Sequence, residues 1–152
     1  MKNTLRLSFI LLLFMVLVFP VSAGANTIGY VDFEFLFDAH PEYATKNADL
    51  QRIAEDMTVE FQLALEDVET EEEAQQLAIF YEGELEKFAE ELRIYIIRAV
   101  QQSISAVAVA EGISVVLPDT SVIYGGVDIT QLVVAKMYEE YGISVPSRLR
   151  RP

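Results

Sequence analysis

From Glu42 to Ala110 the chain contains no proline and only one glycine, Gly83. Proline breaks a helix and glycine weakens one, so a long run nearly free of both and dominated by helix formers has little alternative to helix. At roughly 100° per residue, two apolar seams emerge. Leu50, Ile53, Ala54, Phe61, Ala64 and Val68 gather about Met57. Ala74, Leu77, Ala78, Leu85, Phe88, Leu92, Tyr95, Ile96 and Ala99 gather about Tyr81. Between the seams, Thr70 is followed three residues later by Glu73, a capping box in which hydroxyl and carboxylate each take a backbone donor that a helix start leaves orphaned. Glu71, Glu72 and Glu73 also suit the positive end of a helix dipole. The sequence therefore predicts one helix from Glu42 to Glu69 and another from Glu71 to Ala110, folded back as an antiparallel hairpin, about 42 and about 60 Å long at roughly 1.5 Å per residue. The seam spacing of the first lies nearer an eleven-residue repeat than a heptad, so little left-handed supercoil is expected.

The second helix changes character along its length. Ile94 to Ala110 is apolar nearly all round, which implies burial on several sides, whereas the far end is acidic and amphipathic. What the buried base enters is read from the rest of the chain. Thr27 to Phe33 is rich in β formers; Gly112 is a helix stop; Ile113 to Leu117 reads as a second strand and "SVIYGG" as a third. Gly125 and Gly126 permit a sharp turn, Asp128 and Gln131 form a second expected capping box, and a last helix is predicted from about Ile129 to Tyr141. A phosphate loop is excluded there, because neither the glycine spacing nor the lysine of such a loop is present.

Lys2 and Arg6, an uncharged run from Leu7 to Phe19, then Pro20 and small residues read as a secretory signal peptide over 1–25, too short to span a bilayer. It removes two of 11 bases and none of 24 acids, leaving a net charge of −15 and excluding a nucleic-acid partner. There is no cysteine, so neither a disulfide nor a lipidated cysteine is available. The expected layout is a signal peptide over 1–25, a β-rich body from 26–41 and 99–143, a helical-hairpin arm over 42–98, and a flexible tail over 144–152. The fold class is α+β.

Ala108, Gly112, Val116, Leu117, Val122 to Tyr124, and the "DIT" of Asp128, Ile129 and Thr130 resemble the C-terminal block of the Skp/OmpH-like family of periplasmic chaperones. An N-terminal "IGYVD" strand followed by long charged helices is similar too. The resemblance implies a homotrimer: a small β-rich trimerisation body carrying long antiparallel helical-hairpin, coiled-coil arms that hold unfolded outer-membrane proteins without ATP. The arms here look short and carry 16 acids against 4 bases over 42–93. The lipid or lipopolysaccharide binding suited to basic arms is therefore not carried over, and the tail arginines offer at most weak membrane contact.

Val59 and Leu63 lie opposite the first seam, and Ile79, Ile94 and Ile97 opposite the second, so these five are the expected client-binding residues. No catalytic, cofactor or metal site is expected. His40 lacks a second histidine or cysteine and reads as a loop residue, and the glutamates after Glu69 lack the glycine turn of a calcium loop. The function expected is periplasmic, ATP-independent holding of unfolded envelope proteins by caging between arms; the rival is a structural coiled-coil spacer or adaptor. A charge of −15 would repel acidic clients, which favours basic ones.

Overall fold

The computed structural model describes residues 27–151; the expected signal peptide lies outside the described residues. In order along the chain come β1 (Thr27–Val31), α1 (Phe33–Asp38), α2 (Tyr43–Leu65), α3 (Glu71–Ala110), β2 (Ile113–Pro118), β3 (Val127–Asp128) and α4 (Thr130–Glu140), with 3₁₀ turns at Asp119–Ser121 and Ser147–Leu149. The expected α+β class with a β-rich body is thereby overturned. Helices of 6, 23, 40 and 11 residues stand against strands of only 5, 6 and 2, so the protein is mostly helical.

The sheet is a small parallel one in the order β2-β1-β3. Parallel pairing follows from the helices. The chain leaves the end of β1, runs out through α2, and returns along α3, which is longer by about 25 Å at roughly 1.5 Å per residue. That overshoot carries it back past β1 to the strand's beginning, where Ile113 pairs with Thr27. Gly112 makes the reversal from α3 into β2 at φ 66°, a backbone state open chiefly to glycine.

The core is helical as well. Leu36 of α1, Ile96, Val100 and Val107 of α3, and Val133, Val134, Met137 and Tyr138 of α4 are buried together with Val31, Ala39 and Ile129. The apolar base of α3 is buried along one face only, that of Ile96, Val100, Ser103 and Val107, so the burial on several sides expected from the sequence is not met within the single chain and Val109 stays exposed. Ser103 on the buried face donates to Ala99 O at 3.3 Å and to a Glu140 carboxylate oxygen at 3.2 Å. Fully burying each of the large aliphatic side chains is worth about 1.5–3 kcal/mol, which makes this helix junction the centre of stability.

Three local expectations are corrected. The "SVIYGG" strand does not form; Ile123 and Tyr124 are fully exposed, and the third strand is the later pair Val127–Asp128. The Asp128/Gln131 capping box is absent. Asp128 instead accepts from the Thr130 N–H at 2.8 Å, and Gln131 Oε1 accepts from the Arg151 N–H at 3.2 Å. The tail is docked rather than loose: Val145 and Leu149 pack on the core, and Arg151 reaches Asp32 at 2.8 Å with its guanidinium 3.7 Å from the Phe35 ring centre.

Candidate functional site

α2 runs opposite to the first part of α3, from Phe61 against Tyr81 (ring centres 5.5 Å apart) to Lys46 over Tyr95 (5.1 Å). Along this pair the apolar seams are only partly covered. No residue of α2 is buried, and α3 buries none before Ile96. Met57, Phe61, Tyr81 and Leu85, expected to close the seam, line an open groove of about 170 Å³ between the helices. All four lie within the stretch that α2 and α3 share, and two helices side by side leave the flank of their own contact open.

The five candidate residues fall in three places. Val59, Leu63 and Ile79 are 58, 60 and 62% exposed, and the Phe61–Tyr81 contact puts Leu63 about level with Ile79. Ile94 lies farther down α3 in a cleft of about 660 Å³ with His40, Tyr95, Arg98 and Tyr141. Ile97 is half-buried in a separate cleft of about 610 Å³ with Phe33, Phe37 and Asp119. One continuous wall of five residues is therefore not assembled in the single chain. The sequence reading missed Phe80, 60% exposed beside Ile79. It lies about 100° from the seam residue Tyr81, and that angle was the signal available for it.

Below the exposed stretch sits a polar knot. The Glu42 carboxylate accepts hydrogen bonds from the hydroxyls of Tyr95 and of Tyr141, the latter at 2.7 Å. The Tyr95 hydroxyl, then that of Tyr141, hold the Glu42 carboxyl below its usual range; burial, followed by the hydrogen bond to Glu42, pushes the Tyr141 phenol well above its own. His40 lies in the loop between α1 and α2, as expected, but is buried there at 4% exposure, its ring perpendicular to that of Tyr141. Its Nδ1 accepts from the Glu42 N–H at 3.3 Å, so that nitrogen carries no proton. Burial lowers the His40 pKa, against the opposing pull of Glu42 and Glu140.

Among the described residues no group of three His, Asp or Glu side chains is placed to hold a metal ion, and no helix is long and apolar enough to cross a membrane. The knot ties α2, α3 and α4 together and offers anchored phenols rather than a free nucleophile. The exposed surface above it offers apolar contact bordered by acids. No protein-family model matches the chain, and no curated protein matches it.

Proposed function

We propose that this protein is an exported, periplasmic, ATP-independent holdase for unfolded outer-membrane or other envelope proteins, related to the Skp/OmpH-like chaperones, acting as a homotrimer and not as an enzyme. One observation carries the reading: Val59, Leu63 and Ile79 stand more than half exposed on an α2–α3 pair whose apolar groove is itself open. Exposed aliphatic side chains on that scale, bordered by charge, suit contact with another chain. Many such contacts, each weak, retain an unfolded polypeptide while permitting release without nucleotide hydrolysis. The exposed Val109, Val115, Ile123 and Tyr124 at the opposite end leave apolar surface for other copies of the chain.

The test is the mass of the purified protein alone and mixed with an unfolded β-barrel protein. A trimer that forms a soluble complex is expected, and the triple variant Val59→Ser, Leu63→Ser, Ile79→Ser should keep the oligomer and lose most of its suppression of client aggregation. Absence of any complex would reject the holdase and favour a structural spacer.

A further inference from the structure

The charges beside the exposed apolar residues bear on what kind of unfolded chain the surface accepts. Over residues 42–93 there are four basic side chains, and every one is already engaged. Arg52 pairs with Asp49 at 3.2 Å, Lys87 with Glu84 at 3.9 Å and Arg93 with Glu90 at 3.2 Å, each three residues away on its own helix. Lys46 lies over the Tyr95 ring. The acids that flank the apolar residues are left over. Glu55 and Asp56 sit one turn before Val59, Glu66 and Asp67 one turn after Leu63, Glu82 one turn after Ile79 and Glu86 one turn beyond that. All six are exposed, and none takes part in a salt bridge among the described residues.

We infer that the chain segments held on this surface are cationic and amphipathic, apolar residues interspersed with lysine and arginine. The inference rests on the holdase reading and specifies its substrate class. An incoming lysine or arginine meets carboxylates that no local base neutralises, while its apolar neighbours reach Val59, Leu63 and Ile79. An acidic segment of equal hydrophobicity meets uncompensated like charge at each of those contacts. In a surface this exposed the discrimination acts through solvent and is screened by salt.

The experiment uses the purified protein and two unfolded peptides of equal length and identical apolar residues, one with lysine and the other with glutamate at every polar position. A third peptide keeps the lysines and replaces the apolar residues with serine. At about 20 mM salt the lysine peptide should bind at least about tenfold more tightly than the glutamate peptide, and the difference should shrink severalfold by about 300 mM, where the screening length is short. The combined Glu55→Gln, Asp56→Asn, Glu82→Gln, Glu86→Gln variant, changed only at exposed positions, should lose most of the preference while keeping its circular dichroism. Equal binding of both apolar peptides, alongside retention of an unfolded β-barrel protein, overturns the charge selection and leaves the holdase standing. Equal binding of the serine peptide overturns the amphipathic surface in favour of simple ion exchange. Binding of neither peptide nor the β-barrel protein overturns the holdase itself.

Discussion

Glu42, two residues after the buried His40, holds hydroxyls from two other helices, Tyr95 of α3 and Tyr141 just past α4. Both His40 and Glu42 are shifted downward, His40 chiefly by burial and Glu42 chiefly by the Tyr95 hydrogen bond. For His40 the unfolded chain takes up its proton near the ordinary imidazole value of 6.5, before the folded protein does, so the stability it confers is present above that pH and falls as the pH drops toward the folded value. The lowered Glu42 acts in the same sense at lower pH, its contribution present above 4.5 and lost as the pH falls through its folded value. The urea midpoint should therefore decline between about pH 7 and about pH 5.5, and His40→Asn, which keeps an acceptor for the Glu42 N–H but cannot protonate, should flatten that decline. An unchanged slope in the variant would remove His40 as its source. Nothing in the sequence around Pro41 announces this burial, because the ring packing on His40 comes from Tyr141, three helices further along the chain.

At the scale of elements, both helix starts were legible to within a residue, but the cap of α3 forms as read and that of α4 does not, for a common reason. The Thr70 box forms as expected: Thr70 Oγ1 accepts from the Glu73 N–H at 3.2 Å, and Glu73 accepts from the N–H groups of Thr70 and Glu69 at 3.1 and 3.2 Å. All its partners lie within a few residues, and solvent surrounds it. Thr70→Ala should cost about 1 kcal/mol and speed amide exchange in the first turn of α3 while sparing Ile96 to Val107; exchange that rises uniformly would contradict a local cap. The second pair, Asp128 and Gln131, has the same spacing and is equally able to cap, but Gln131 there serves the backbone of Arg151, which arrives from the far end of the described chain. A local motif is reliable only where no distant group competes for it.

In the whole molecule, the docked tail closes the α1 side of the core. Arg151 meets the Asp32 carboxylate, which burial pushes up but the Phe35 N–H and Arg151 together hold below its usual range. The ion pair and the ring contact are partly exposed, so Arg151→Ala should cost only about 1 kcal/mol. Its clearer readout is release of the tail: trypsin should cut at Arg148 severalfold faster in the variant, and an unchanged cleavage rate would show that Val145 and Leu149 alone hold the segment.

By itself the sequence determined the two long helices, the cap between them, the glycine stop at Gly112, the strongly acidic balance and the off-seam positions of Val59, Leu63 and Ile79. Each follows from interactions between residues at most a few positions apart, or from counting charges. Only the tertiary structure decided that the body is helical with a small parallel sheet, that the α2–α3 seam stays open, and that Ile94 and Ile97 enter different clefts. It also decided that the third strand is Val127–Asp128 and not the run before the glycines. Those outcomes depend on which remote surfaces meet: the length of α3 beyond α2 sets where β2 lies beside β1, and the fit of α1, α3 and α4 sets which apolar residues are covered. Periodicity reports the face of a helix that is apolar, whereas burial of that face requires enough remote surface packed against it to cover it.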